Sequence, residues 1–416
     1  MFRALPLLVV VAAALPAQPS PQPLPQPRWI ATWAPSVYAA APRPTNPDST
    51  DRVATYVDRT LREVVRTTVG GSRVRVRLTN EYGDRPLVVG AVRVAVRDSG
   101  ARVRAGTERA ITFGGKPGVV LRAGASVVSD GVAFDVPPLA DLAISLYLPD
   151  TSRASSMHGA AYQTSYVSSA GDQTAAAPFP VERTITQWQF LAGVDVVNAR
   201  ASGAVVAIGN SITDGAGSTR DANARWPDGL ARRLLASGAP GAPIAVVNAG
   251  IGGNRILSPT TGPSALARFE RDVLGQPGVT HVIVTEGIND LLRGTNPPDP
   301  RDEISADDLI FGLRQLVDRA RERGLVVIGG TLTPIGGLAR GGPAAQAKVD
   351  AVNAWIRTSG AYDGVIDFYK ATGDPAQPDR FLPAYDSGDH LHPSDAGYRA
   401  MADAIDLALF RPRKRR

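Results

Sequence analysis

Four short stretches in the second half of this 416-residue chain carry side chains suited to making and breaking an acyl bond. They are Gly209-Asn210-Ser211-Ile212-Thr213-Asp214-Gly215, Asn248-Ala249-Gly250-Ile251-Gly252-Gly253-Asn254, Glu286-Gly287-Ile288-Asn289-Asp290 and Asp386-Ser387-Gly388-Asp389-His390-Leu391-His392-Pro393. A serine hydroxyl is a poor nucleophile near neutral pH and must pass its proton to a base as it attacks, a task for which imidazole has a suitable pKa. Ser211 is the candidate nucleophile and His392 the candidate base. Asp389 lies three residues before His392 and can accept the Nδ1 proton, leaving Nε2 free for the serine. His390 competes with His392, and Asp386 with Asp389, at comparable spacing. Fixed donors must then stabilise the negative charge of the tetrahedral intermediate, and the backbone amides of Ser211 and Gly253 with the side-chain NH₂ of Asn289 could supply three.

Such residues act together only if the chain brings them to one edge. From Gly203 onward, apolar runs alternate with amphipathic segments, which is the pattern of a parallel sheet covered on both faces. The candidate strands are Val205 to Ile208, Ile244 to Val247, Val282 to Val284, Leu325 to Ile328 and Val365 to Phe368. Leu309, Leu313, Leu316, Val317 and Ala320 recur at helical spacing, as do Leu230, Leu234 and Leu235, and a last helix is expected around Ala396 to Leu409. Ligands of such sheets meet the crevice beyond the carboxyl ends of the strands, where the four stretches fall. The first half reads differently. Between Trp29 and about Val197 the dominant period is two, as in Arg73-Val74-Arg75-Val76-Arg77-Leu78, in Val92, Val94 and Val96, and in Leu142, Ile144, Leu146 and Leu148. Gly70-Gly71 and Gly114-Gly115 are expected in tight turns with positive φ. An all-β sandwich of jelly-roll type over 28–200, followed by an α/β domain over 201–410, is the resulting expectation.

In these four stretches the chain resembles the SGNH or GDSL-type hydrolases, over roughly Ala204 to Phe410. Its Gly209 to Gly215, Asn248 to Asn254, Gly287 to Asp290 and Asp389 to Pro393 look like that family's four blocks, in the family's order. The resemblance implies a flavodoxin-like three-layer α/β/α fold with a five-stranded parallel sheet and a triad of Ser211, Asp389 and His392. It favours His392 over His390 and Asp389 over Asp386, and it implies an oxyanion hole from Ser211, Gly253 and Asn289, with Gly252 as the alternative glycine. One departure is Asn210, where the family usually carries Asp; Asn keeps the short side chain and the turn preference but loses the charge. The first half, through Thr60 to Thr67 and Val74 to Asn80, is similar to segments that precede the hydrolase domain in a branch of secreted arylesterases and acylhydrolases linked to xylan degradation. That points to small acyl groups on sugars or aryl alcohols.

Composition narrows the partners. The chain has no cysteine, which removes disulfides, thiolate metal sites and cysteine nucleophiles. Its net charge of +6 owes five positive charges to Arg411, Arg413, Lys414, Arg415 and Arg416, so the basic character belongs to a terminal tail over 411–416 and argues against nucleic-acid binding. Met1 and Arg3 precede an apolar run to Ala17 that is shorter than the roughly 20 residues of a membrane span, so 1–17 reads as a cleaved signal peptide and 18–27 as a proline-rich linker. Export to the outside or the periplasm of a bacterium follows, without stable membrane insertion; oligomeric state is left open. Serine chemistry needs no cofactor. Two other functions compete, a carbohydrate-binding protein on a decayed hydrolase scaffold, for which Asn210 is the supporting feature, and a lipase or lysophospholipase-type acylhydrolase. A metal site built from Asp214, Asp290, Asp389, His390 and His392 fits no ligand-spacing motif. Among the remaining histidines, His281 begins a strand and reads as structural, while His158 reads as a satisfied interdomain or surface residue. Trp226 reads as core.

Overall fold

The computed structural model describes residues 28–40, 53–238 and 242–411. The expected signal peptide and proline linker, and the basic tail beyond Arg411, lie outside these residues. Two large antiparallel sheets dominate the first half, with three smaller ones beside them among the described residues. One runs Trp29–Trp33, Leu191–Val197, Gly71–Thr79 and Ser126–Val128, with Val132–Val136 also on Gly71–Thr79; the other centres on Arg59–Arg66, Asp141–Leu148 and Ala91–Val96. The period-two pattern explains their packing. Val74, Val76 and Leu78 of one sheet meet Leu61, Val65, Val92, Val94, Leu142 and Ile144 of the other in one buried core. The opposite face of Gly71–Thr79 is only partly solvated, because Arg75 and Arg77 converge on the buried Asp195 at 2.9 and 3.2 Å. Arg77 also reaches Gln276 of the second half at 2.7 Å.

Gly114 and Gly115 adopt positive φ as the turn reading requires. Gly70 and Gly71 do not. They are glycines because a Cβ would lie 2.2 Å from the Val136 carbonyl and 2.6 Å from the Val197 carbonyl, so close backbone approach, and not turn handedness, excludes side chains there.

The second half is a five-stranded, all-parallel sheet in the order Ile244–Gly250, Gly203–Gly209, Val279–Thr285, Val326–Gly330, Gly364–Ile366. Alternate residues of each strand point to opposite helical layers. Val205, Ala207, Val246 and Ile283 pack on Trp226, Leu230, Leu234, Tyr398 and Met401, while Val206, Ile208, Val247 and Val282 pack on Leu309, Leu313, Leu316 and Val349. This is the three-layer α/β/α arrangement, with Trp226 fully buried against Phe368 as a core residue. Two expected boundaries shift. The last strand stops at Ile366, because Asp367 caps a short helix, Phe368–Thr372, through the Lys370 amide. The final helix runs Asp395–Asp403, and a separate 3₁₀ turn, Leu407–Phe410, follows it.

The two halves share residues. Ala31 and Ala34 enter the core of the parallel sheet, and Ala201, Ala204 and Ala245 enter that of the sandwich. Among the described residues no helix is long and apolar enough to cross a membrane.

Candidate active site

The first parallel strand ends at Gly209, where a Cβ would sit 2.2 Å from Thr213 Oγ1, so the chain can fold back at once into the short helix Ser211–Asp214. Asn210 caps that helix: its Oδ1 accepts the Ile212 N–H at 3.0 Å. Gly215, at φ 112°, ends it. The Ser211 hydroxyl therefore stands at a helix start, and its own amide donates to no protein acceptor among the described residues.

His392 reaches the serine from the far end of the chain. Its Nε2 lies 2.8 Å from Ser211 Oγ, and its Nδ1 lies 2.5 Å from Asp389 Oδ2. Asp389 Oδ1 accepts the amides of Leu391 and His392 at 3.0 and 2.8 Å. Partial burial works against the Asp389 charge, but the His392 hydrogen bond and these two amides outweigh it and hold the carboxyl down at about 2. The loop is itself braced, since the Ser387 amide donates to the His392 carbonyl at 3.0 Å. Ser394 caps the helix that follows, accepting the Gly397 amide. His390 and Asp386 form a second, parallel pair at 2.6 Å, but His390 is more exposed, with φ +61°, and faces Gly337.

The glycine turn lies against the nucleophile helix so closely that a Cβ on Gly250 would fall 2.3 Å from the Asp214 amide nitrogen. The Gly252 amide donates to Asp214 Oδ2 at 2.8 Å and is thus already committed. The Gly253 amide, at φ +76°, donates to no protein acceptor among the described residues. Asn289 sits behind Gly287 (φ 119°) at the start of the helix Ile288–Arg293 and spends one Nδ2 hydrogen on the Asn254 carbonyl at 3.0 Å; the amide's second hydrogen remains. Asp290 does not cap its own helix. It accepts the Ile256 and Leu257 amides at 2.9 and 3.0 Å, bracing the chain beyond the glycine turn, and burial pushes its carboxyl up to about 6. Of the side chains weighed as metal ligands, Asp214 is paired with His158, Asp290 with these amides and His390 with Asp386.

Residues 207–400 match the model of the GDSL-like Lipase/Acylhydrolase family. The C-terminal domain is a GDSL-like acylhydrolase domain. Its fold is that of the SGNH hydrolases. Solved structures similar to the chain include an acetylxylan esterase from Geobacillus stearothermophilus (25% identity, covering 52% of this chain and 98% of that one, TM-score 0.40). They also include an alpha/beta hydrolase from the Lake Arreo metagenome (25% identity, 50% and 95%, TM-score 0.40) and a GDSL-like lipase from Bacteroides thetaiotaomicron (20% identity, 50% and 88%, TM-score 0.38). No curated protein matches the chain.

Two residues of the acylhydrolase domain's surroundings escape a reading by motif. Arg268, with a side chain that is fully buried, donates to the carbonyls of Gly209 and Ala249 at 3.0 and 2.7 Å and to Asn254 Oδ1 at 3.0 Å. It also holds Ser36 Oγ at 2.8 Å and Asp272 at 3.1 Å, so one guanidinium ties together the strand end before Ser211, the glycine turn and the first half of the chain. His158 is the other; its ring lies between Ser36 and Asp214. Neither stands in a local pattern that would mark it.

Proposed function

We propose that the chain is an exported serine esterase that removes short acyl groups from carbohydrate or aryl alcohols through an acyl-serine intermediate. The observation that carries this reading is the continuous hydrogen-bonded chain from Ser211 Oγ through the His392 ring to Asp389. In the resting arrangement Ser211 O–H donates to Nε2 and Nδ1–H donates to the carboxylate. On attack the proton moves to Nε2, and Asp389 stabilises the imidazolium. The developing oxyanion is met by the amides of Ser211 and Gly253 and the remaining Asn289 hydrogen. His392 then protonates the leaving alkoxide, and water, deprotonated by the same ring, releases the acid.

An open cleft beside Gly252 supports the alcohol side of this reading. Tyr38, Tyr82, Met157, Tyr162, Gln187 and Thr261 line it, and such a mixture of aromatic faces with amide and hydroxyl groups suits a sugar or aryl ring. Asn210 does not favour the binding-only alternative, because its side chain makes the cap that the turn needs. Export, with 1–17 as leader, belongs to the same proposal, as do the boundaries 28–200 and 201–410. The test is covalent labelling by a fluorophosphonate probe together with hydrolysis of aryl acetates and acetylated xylan. Labelling and turnover, both lost in Ser211→Ala, are expected. Glycan binding without labelling or hydrolysis would refute the enzyme.

A further inference from the structure

His158 belongs to the first half of the chain, yet the residue is only 2% exposed and its ring faces the nucleophile helix. Its Nδ1 lies 2.9 Å from the Ser36 carbonyl and its Nε2 lies 3.0 Å from Asp214 Oδ1. A carbonyl oxygen can only accept, and so can an ionised carboxylate. Both ring nitrogens therefore need a hydrogen, which a neutral imidazole cannot provide. Asp214 is also bound as an anion would be, since its second oxygen, Oδ2, accepts the Gly252 amide at 2.8 Å. We propose that His158 is a buried imidazolium and a positioning residue for the oxyanion hole: through Asp214 it fixes the Gly252 amide, and with it the orientation of the neighbouring Gly253 amide. The inference rests on the esterase reading for its kinetic consequence, though not for the protonation of the ring.

The surroundings agree with a cation. Burial disfavours the charge, but Asp214 and the Ser36 carbonyl outweigh it and hold the imidazole above its ordinary range. Arg225, at the start of the helix Trp226–Ala236, opposes the charge. Its guanidinium is turned to Asp228 at 3.3 Å and over the Trp188 ring. Tyr38 meets the His158 ring edge-on, Trp188 lies tilted beside it, and the Tyr162 phenol faces Asp214. Ser36 is held in turn by Arg268, so the carbonyl that receives Nδ1–H is not loose. The chain from Ser36 through His158 and Asp214 to Gly252 thus carries one contact from the first half to the turn beside the nucleophile. Because oxyanion donors act on the transition state and not on bound ester, loosening the turn affects kcat more than KM.

The experiment takes the full-length protein with ¹⁵N-labelled histidine and the variants His158→Gln, Asp214→Asn and their double. At pH 7 the His158 ring is expected to show two protonated nitrogens, and the Gly252 and Gly253 amide resonances are expected to move in His158→Gln. For aryl acetate, kcat should fall about tenfold or more with KM within about twofold, since a small misplacement of a catalytic donor is costly. The double variant should be no slower than the slower single one. A singly protonated ring, unmoved glycine amides, or a folded His158→Gln with wild-type kcat overturns the proposal. Should His158→Gln fail to fold, the ring protonation of the parent and the kinetics of Asp214→Asn decide. If the parent hydrolyses no ester, the esterase reading is what falls, and the ring and amide resonances still test the pair.

Discussion

Replacing Arg268 by methionine tests whether one buried guanidinium holds the active-site floor together. Methionine roughly preserves the volume, so the cost is polar. The carbonyl of Gly209 keeps the Ile251 amide at 3.0 Å and that of Ala249 keeps Ser36 Oγ at 3.1 Å, so neither is orphaned. Asp272 keeps Arg271 at 2.6 Å but loses its second cation. Asn254 Oδ1 loses the guanidinium that holds it. An orphaned buried acceptor costs about 1–3 kcal/mol, and a lost hydrogen bond between charged groups about 1.5–3. The combined loss is then on the order of 3–5 kcal/mol, the range found when one partner of a buried ion pair is removed. At about 2–4 °C per kcal/mol, the scale for a cooperative unit of about 150–250 residues, Tm should drop by about 6–20 °C. Calorimetric unfolding of parent and variant, with aryl acetate turnover on the same samples, measures both consequences. A variant that melts within about 3 °C of the parent and keeps its kcat would refute the reasoning, because the network would then be decoration on a fold stable without it.

Two further outcomes follow from the carboxylates. Asp389→Asn should lower kcat by a factor on the order of 10³ with KM little changed, since the amide removes the charge that stabilises the imidazolium and invites the wrong tautomer; steady-state kinetics check it. Asp290 carries a folded-state pKa raised to about 6 by burial, so folding favours its protonated form. Its contribution to stability is full below the ordinary carboxylate range and is lost as pH rises through about 6. The pH dependence of denaturant unfolding between about pH 4 and 6 should flatten in Asp290→Asn relative to the parent; an unchanged dependence would show that another group titrates there.

The parallel sheet was legible because burial on both faces demands continuous apolar runs, and Val205 to Ile208 and Val282 to Val284 satisfy it with no polar interruption. The positions of Ser211 and Asn289, just after the strands that end at Gly209 and Thr285, were legible for a related reason: in such a sheet function gathers at strand ends, and strand ends can be counted. Boundaries set by a single side chain were not. Phe368 has the apolarity of a strand residue, and only the Asp367 cap puts it in a helix; Gly70 and Gly71 look like turn residues until the Val136 and Val197 carbonyls are seen beside them.

Reading along the chain offered an interdomain place for His158 but not the partners that couple the two halves. Ser36 precedes Arg268 by 232 positions, and His158 precedes Asp214 by 56, with no periodicity linking either pair. Buried polar groups must find partners somewhere, and a serine, an arginine and a histidine separated in this way announce only that need. The partners they find lie across the boundary between the two halves. The first half places a hydroxyl and an imidazole under the glycine turn and beside the nucleophile helix, both in contact with atoms of the acylhydrolase domain. Removing the first half would therefore leave Asp214 without His158 and Arg268 without Ser36. The first half of the chain thus completes the interior of the second, and its loss would be felt at Ser211 even if no substrate atom ever touched it.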